Sequence, residues 1–287
     1  MPAMPCSIQQ GFTATIRRAR VRVLAAWSWL LLLAAVESAY GFGANAHLIA
    51  GHIAERHLCA NSRAALNDLS PDKNLAEAGL WADKIRSNPA YDYAKPWHYI
   101  NIPDDQPLSA ARRSGKGDVL AAIENFYARL GDEALPGDQR REALWFLAHF
   151  VVDLHQPLHV GREEDRGGNT IKVLVNGDKM NLHAYWDAGV LKNRVDSPYA
   201  YAAGLDAASH ASVAVWQASS PRVWLAESQA FRSEVYSFGL APRGSPALLD
   251  EPYQRRAARI VDLRLAQAGI RLAGVLNGLW CPADPVK

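Results

Sequence analysis

The stretch HFVVDLHQPLH, residues 149–159, closes the strongest helical pattern of the chain. Its apolar spacing predicts a core helix over 140–154, and Pro157 ends that pattern. Four residues advance an α-helix by about 400°, so His149 and Asp153 project from the same face. His159 follows just after the proline break, where the chain can curl back. The segment therefore brings polar side chains together in an apolar setting.

These 11 residues contain three imidazoles and one carboxylate, which are costly to bury unless they share a partner. The four-residue spacing returns at His183 and Asp187, in the string NLHAYWD of residues 181–187. Imidazole with carboxylate is the ligand set of zinc in hydrolytic sites. One such pair arises often by chance. Two pairs, the first extended by His159, predict a metal site.

Helical spacing of apolar residues dominates the rest of the chain, which predicts a mainly α fold in one multi-helix domain. A β-prone run over 170–175 followed by Asn176-Gly177 predicts a small β-hairpin near 170–182. Loops are expected at 88–95, 103–116 and 161–169. No stretch of residues 42–287 has the composition of a linker between domains. The predicted helices cover 46–59, 75–86, 118–130, 140–154, 198–217, 220–236 and 251–279.

The first 41 residues have the pattern of an export signal. Four arginines precede an apolar run over 23–36, which is short for a membrane span and typical of a signal peptide. Small residues at Ala39 and Gly41 predict cleavage after Gly41, which leaves a mature chain of residues 42–287. An uncleaved membrane anchor is the alternative. The expected location is the periplasm or the outside of the cell.

The charge balance of the predicted mature chain argues against a binder that relies on a basic face. Four Arg and one Glu lie in residues 1–41, so the remainder holds 27 of the 31 basic and 28 of the 29 acidic side chains, a formal charge of −1. Bound cations would then have to attract any phosphate. Cys59 and Cys281 remain in this part, either as one disulfide or as two separate thiols.

Three further residues have ordinary interpretations when taken singly. His47 could cap a helix, Asp83 could be a solvated helix carboxylate, and His98 could be a core histidine bonded to a carbonyl. The order of the motifs that contain these residues is a more specific signal than any one of the residues. The motifs are FGANAH (42–47), LWADKIR (80–86), WHYIN (97–101), HFVVDLHQPLH (149–159), GGN (167–169) and NLHAYWD (181–187).

This ordered set closely resembles the S1/P1 family of zinc-dependent nucleases, over essentially the whole predicted mature chain. The resemblance implies a mainly α fold of the phospholipase C/P1 nuclease type, with three zinc ions in a cleft. It implies one zinc on Asp83, His98, His149 and Asp153. A second would be held by the backbone of Phe42, by His47 and by the shared carboxylate of Asp153, and a third by His159, His183 and Asp187.

The resemblance also implies roles at the substrate. Arg86 would face the scissile phosphate and act in catalysis together with the ligands Asp83 and Asp153. Tyr99 would stack on a base, Asn101 would read the base edge, and Asn169 would lie near the same pocket. Three departures from the family pattern occur. Phe42 replaces a tryptophan, Asn101 replaces the aspartate of fungal members, and Ala46 replaces a glycine, which is a small change. The second departure leaves the base preference open.

The implied activity is that of an endonuclease that hydrolyses single-stranded DNA and RNA to 5′-phosphate products, with 3′-nucleotidase activity as a side reaction of the same site. Single-stranded nucleic acid or a nucleotide would be the substrate of a monomer without a membrane anchor after cleavage. Two alternatives stay open here. One is a zinc-dependent phospholipase C, and the other is a periplasmic zinc-binding protein without catalysis.

Overall fold

The computed structural model describes residues 42–104, 106, 109, 113–239, 241–242 and 244–281, all within one compact unit, Ala39–Lys287. The predicted export signal and its cleavage site lie outside the described residues, apart from Phe42 itself. Within the described ranges, every helix is too short or too polar to cross a membrane.

The fold is mainly α-helical, as the sequence predicts. The long helix α12 packs against α1, α6 and α9, and α5 packs against α6. The helices are α1 (Ala44–Arg56), α2 (Ala60–Leu69), α3 (Leu75–Ala78), α4 (Trp81–Ile85), α5 (Val119–Gly131), α6 (Gly137–Leu154), α7 (Leu182–Ala184), α8 (Pro198–Ser209), α9 (Val213–Gln217), α10 (Pro221–Ala230), α11 (Arg232–Val235) and α12 (Glu251–Trp280).

The apolar interior falls into two clusters that share helix α6. In the first, the rings of Phe126, Phe146 and Phe150 pack in sequence between α5 and α6. In the second, Phe42 and Trp186 pack with residues of α1 and α12. Helix α6 contributes most of its buried residues to the first cluster and Val152 to the second. The polar side chains of α6 therefore lie where the two apolar clusters meet.

Several helix predictions need correction. The helix expected over 75–86 is divided at Gly79 and Leu80, and a capping box between Asn74 and Glu77 starts its first half. The loop expected at 88–95 is wrong, because Pro89–His98 forms a 3₁₀ helix. Helix α2 was not predicted from the sequence. Its only buried residues are Ser62 and Leu69, so its apolar periodicity is weak.

Two small sheets accompany the helices. The predicted hairpin is confirmed as β3 (Lys172–Val175) and β4 (Asp178–Asn181), and Asn176 and Gly177 take the positive φ angles that such a turn requires. A further strand, β5 (Ala247–Leu248), pairs in parallel with β3. The other sheet pairs β1 (Ile100–Asn101) in parallel with β2 (Val160–Gly161) and holds the segments after His98 and after His159 side by side.

Cys59 and Cys281 form a disulfide, so of the two alternatives left by the sequence the bonded one is found. Cys59 is the N-cap of α2, and Cys281 follows the last residue of α12. The bond closes a sequence separation of 222 residues. A link over such a long loop restricts the unfolded chain strongly and ties the end of α12 to the N-terminal helices.

Candidate metal centre

The structure brings all eight predicted ligand side chains together around Asp153, which lies near the C-terminal end of α6. Oδ2 of Asp153 is 2.9 Å from Nδ1 of His98 and 3.0 Å from Nε2 of His149. Oδ1 is 3.5 Å from Nε2 of His47 and 3.4 Å from Nδ1 of His159. The two oxygens of one carboxylate therefore face two different sets of imidazoles.

The backbone of Phe42 reaches the same carboxylate. Its nitrogen lies 3.2 Å from Oδ1 of Asp153, and its side chain is fully buried in the second apolar cluster. The next amide, of Gly43, donates to the carbonyl oxygen of Asp187 at 2.8 Å. A side chain at Gly43 would come within 2.9 Å of that oxygen, so glycine permits this close approach. Packing thus holds the first described residue at the metal centre.

His183 and Asp187 lie beside His159 in a second group of ligands. Nε2 of His159 is 3.4 Å from Oδ1 of Asp187, and Nε2 of His183 is 3.2 Å from its Oδ2. Asp187 lies in a wide π-helical turn, Tyr185–Gly189, directly after α7. The Nε2 amide of Gln156 donates to Oδ1 of Asp187 at 2.7 Å and orients this carboxylate.

Backbone carbonyls fix the orientation of two of the imidazoles. Nδ1 of His149 lies 2.7 Å from the carbonyl oxygen of Gly79, and Nδ1 of His183 lies 2.7 Å from that of Gly167. A carbonyl only accepts, so both rings donate from Nδ1 and keep Nε2 as a ligand atom when neutral. The break between α3 and α4 at Gly79 therefore serves the site, because it turns a carbonyl toward His149.

Several buried polar atoms of this centre have no hydrogen-bond partner among the described residues. They are both ring nitrogens of His47, Oδ1 of Asp83, Nδ1 of His159 and Oδ2 of Asp187. An unpartnered buried polar atom is costly, which implies that a ligand satisfies these atoms.

The spacing of the ligand atoms fits a cation. Two ligands about 2.0–2.1 Å from a tetrahedral zinc lie about 3.3 Å apart, and the separations given above scatter around this value. Three groups have ligand atoms all within 4.8 Å of one another, and His149 belongs to two of them. They are His47–His149–Asp153, Asp83–His98–His149 and His159–His183–Asp187.

Both buried carboxyl groups are ionised at neutral pH. Burial alone would raise the pKa of Asp153, but the neighbouring His149 and His159 hold it well below its usual range. Burial also opposes ionisation of Asp187, yet His183 and the hydrogen bond from His159 lower its pKa to about 2. The interior therefore carries fixed negative charge at the point where the unpartnered atoms converge, which favours a cation.

The imidazoles differ in protonation. Burial lowers the pKa of His98 to about 4 and also lowers that of His47, so both rings are neutral and offer a lone pair. Burial also acts to lower the pKa of His149. The carboxylates of Asp153 and Asp83 outweigh this effect and raise the pKa of His149 to about 9. A cation that binds Nε2 of His149 must therefore displace a proton, and its affinity rises with pH.

A cleft of about 460 Å³ opens beside the metal centre, and His98, His159 and His183 form part of its wall. The four residues expected at the substrate also line it, namely Arg86, Tyr99, Asn101 and Asn169. Tyr99 is 42% exposed, so its ring is accessible to a ligand. Nη1 of Arg86 lies 3.9 Å from Oδ1 of Asp83, which places this guanidinium at the border between the ligands and the cleft.

Sequence reasoning missed the residues that support the ligands. Gln156 lies inside the quoted motif, but its spacing gave no sign that it would reach Asp187. The loop before Asn169 has three successive positive φ angles, at Arg166, Gly167 and Gly168. A side chain at Gly167 would come within 2.6 Å of the carbonyl oxygen of Leu158, so the glycine pair was a usable signal for a tightly packed turn.

The family model described as S1/P1 Nuclease matches residues 42–280. Endonuclease 2 of Arabidopsis thaliana is 32% identical over 278 residues, which cover 88% of this chain and 94% of that protein. Nuclease S1 of Aspergillus oryzae is 29% identical, with coverage of 85% and 94%. Nuclease P1 of Penicillium citrinum is 27% identical, with coverage of 82% and 97%. These proteins are similar to the present chain over nearly their whole length.

Proposed function

Because this chain belongs to the S1/P1 nuclease family and is an endonuclease, we propose that it uses zinc to hydrolyse single-stranded DNA and RNA to 5′-phosphate products. The observation that carries the proposal is the convergence of eight imidazole and carboxylate side chains, with unpartnered buried atoms, beside a cleft whose wall includes three of them. Imidazole nitrogen and carboxylate oxygen without thiolates form the ligand set of hydrolytic zinc sites.

The three groups of ligand atoms support three cation positions. Asp83, His98 and His149 would hold one cation with Oδ2 of Asp153. His47 and the backbone of Phe42 would hold a second with Oδ1 of Asp153. The shared carboxylate explains why each of its oxygens faces its own set of nitrogens. The third cation would be held by His159, His183 and Asp187.

Bound zinc would supply Lewis acidity, lowering the pKa of a water and neutralising charge on the phosphoryl oxygens. The protein's own groups position the substrate. Arg86 donates to the phosphoryl oxygens from the border of the cleft, where charge builds during hydrolysis. The exposed ring of Tyr99 offers a stacking surface, which only an unpaired base can reach. This geometry favours single strands.

Two amide side chains would read the base. Asn101 lies at the end of β1 and is half-buried at the cleft, where it can both donate and accept. Nδ2 of Asn169 already donates to the carbonyl oxygen of Arg166 at 2.9 Å, so its Oδ1 is the atom that accepts from a base. Both residues thus offer an acceptor, and Asn169 keeps one further N–H of Nδ2 as a donor beside those of Asn101.

The test combines metal analysis with activity on one sample. We expect three zinc ions per chain and cleavage of a single-stranded oligonucleotide that falls at least about 100-fold on chelation. Zinc should restore cleavage and magnesium should not, because the site offers mostly nitrogen ligands. Fewer than two zinc ions per chain, or hydrolysis of phosphatidylcholine in preference to the oligonucleotide, would overturn the proposal. A 3′-nucleotide measures the nucleotidase reaction at the same site.

Export and metal loading would be coupled through Phe42. We propose that cleavage after Gly41 frees the α-amine of Phe42, which then binds the second cation in the periplasm or outside the cell. The 3.2 Å approach of its nitrogen to Asp153 supports this. A mature chain with two residues added before Phe42 should bind one zinc ion fewer and lose most activity, whereas the same addition at the C-terminus should change neither. A fully active N-terminal extension would contradict the coupling.

A further inference from the structure

Three charged side chains that have no place in the metal centre line the cleft, namely Lys95, Glu163 and Arg166. All three are exposed. A cleft of about 460 Å³ lies within the ~300–1,000 Å³ that usually hold one small ligand. A polynucleotide bound there must therefore continue beyond the cleft, and exposed charged side chains at the cleft are candidates to contact its neighbouring phosphates.

Lys95 lies in the 3₁₀ helix Pro89–His98, three residues before the ligand His98. Its Nζ contacts Oδ1 of Asp92 at 2.6 Å, but the two side chains are 48% and 58% exposed. An ion pair this exposed contributes little free energy, so a phosphate can compete for the ammonium. The position of Lys95 on this 3₁₀ helix places it at the cleft.

Arg166 lies on the loop that carries the Gly167-Gly168-Asn169 motif. Its φ angle of 56° is rare for a residue with a long side chain. Its carbonyl oxygen holds the amide of Asn169 at 2.9 Å, so the loop joins Arg166 to the base-reading residue. Within the described part of the chain, no acidic side chain pairs with the Arg166 guanidinium. This guanidinium borders the cleft from a strained and well-bonded loop.

We propose that Lys95 and Arg166 bind the phosphates that flank the scissile phosphate, and that the preferred substrates are therefore oligonucleotides and longer chains rather than dinucleotides. The proposal rests on the proposed nuclease function and names the substrate class of the same site. Glu163 opposes it electrostatically, since its carboxylate borders the same cleft and repels phosphate. Removing the positive charge of Lys95 or Arg166 should therefore weaken binding of an oligonucleotide, and removing the negative charge of Glu163 should strengthen it.

The experiment compares Lys95→Gln, Arg166→Gln and Glu163→Gln with the wild-type protein and with the control Lys179→Gln. Lys179 is an exposed lysine on β4 and is not among the residues that line the cleft. Each protein is assayed on a dinucleoside monophosphate, which carries only the scissile phosphate, and on a single-stranded 12-mer. KM, kcat and the dependence of KM on salt concentration are measured for both substrates.

We expect Lys95→Gln and Arg166→Gln each to raise KM for the 12-mer about fivefold with kcat unchanged. Each should also reduce the salt slope of log KM by about 0.7, the value for one phosphate contact on a single strand. Glu163→Gln should lower KM for the 12-mer. None of these variants should change KM for the dinucleoside monophosphate, and Lys179→Gln should behave as wild type on both substrates.

Equal changes in KM on both substrates, or an unchanged salt slope, would overturn the proposal and leave the nuclease function intact. So would a rise in KM on Glu163→Gln, because loss of a repulsive charge cannot weaken phosphate binding. Failure of the nuclease function itself has a different result, since the wild-type protein would then cleave neither substrate.

Discussion

Two buried polar clusters begin two residues apart, at the end of helix α6, and they have opposite hydrogen-bonding states. The first is the metal centre around Asp153, where several buried atoms have no partner among the described residues. The second, here called the arginine cluster, contains His155, Glu227, Arg264, Gln267 and Arg271. The difference indicates which buried polar groups serve the fold and which require a ligand.

In the arginine cluster, every nitrogen of the two guanidiniums makes at least one hydrogen bond. Arg264 donates to the carbonyl oxygens of His155 and Trp224 and to the side chains of Glu227, Gln267 and Ser228. Arg271 donates to Glu227 with two nitrogens, at 2.6 and 2.8 Å.

His155 completes the arginine cluster through both of its ring nitrogens. Nδ1 lies 2.7 Å from the carbonyl oxygen of Val151, and Nε2 lies 3.1 Å from Nη1 of Arg271. Burial, together with Arg264 and Arg271, holds the pKa of His155 well below its usual range, so the ring is neutral. Such a cluster needs no external ligand, although both of its arginines and His155 are buried.

The largest expected effect comes from Asp153→Asn. The amide keeps the shape but removes the negative charge shared by two cation positions, so kcat/KM for single-stranded DNA should fall at least about 1,000-fold. Zinc content should drop below two ions per chain, while the circular dichroism spectrum keeps its helical shape. Retention of three zinc ions would show that Asp153 is not the shared ligand.

Glu227→Gln tests the other side of the comparison. It leaves two fully buried guanidiniums without their counter-ion, which should lower the free energy of unfolding by about 2–3 kcal/mol, less than for a fully buried pair because Glu227 is 30% exposed. Zinc content should remain that of the wild type. The measurement is urea unfolding of the zinc-loaded protein with metal analysis, and a loss of zinc would contradict the separation of the clusters.

Two glutamines provide a matched pair. Gln156→Leu removes the amide that orients Asp187 and should lower zinc affinity about 10–100-fold. Gln267→Leu removes an acceptor of Arg264 and should lower stability by about 1–2 kcal/mol at unchanged zinc affinity. Competition with a zinc chelator and urea unfolding measure the two quantities. If each variant changed both quantities alike, the clusters would act as one unit.

The smallest effect is a dependence on pH. Burial alone would raise the pKa of Glu227, but Arg271 and Arg264 lower it below its usual value. A lowered pKa means that Glu227 contributes stability above its unfolded pKa and loses it as pH falls through the folded value. The stability difference between wild type and Glu227→Gln should therefore shrink as pH falls from 7 to below 4. If the stability difference between wild type and Glu227→Gln grew as the pH fell, the pKa of Glu227 would be raised in the folded protein and the prediction would be wrong.

The side chains of the candidate metal centre could be selected from the sequence because the spacing within each His-x-x-x-Asp pair is local. Helical geometry alone relates His149 to Asp153. The same spacing at His183 and Asp187 indicated that these side chains bind a cation. The remaining ligands came from the ordered motifs of the family. The structure brings all of them together, and the predicted mainly α fold and the hairpin are confirmed.

The arginine cluster could not be predicted. Arg264 and Arg271 are seven residues apart and share a face of α12, but arginines in a helix are usually solvated, so their spacing favours no buried role. Helix α2 and the 3₁₀ helix Pro89–His98 also escaped prediction. The first buries few apolar residues, and the second is a 3₁₀ helix with Pro96 inside it, which a search for the α-helical period does not detect.

The sequence by itself determined the helical class, the two His-x-x-x-Asp pairs and the ordered motifs of the family, because these depend on spacing along the chain. Tertiary packing decided which groups face which. Two residues advance a helix by about 200°, so Asp153 and His155 leave α6 on opposite sides. The elements that pack on each side of the helix decide whether Asp153 and His155 find hydrogen-bond partners within the protein. Around Asp153, ring nitrogens of His47 and His159 have no hydrogen-bond partner in the part of the chain that the structure describes, whereas Arg271 of α12 already satisfies His155.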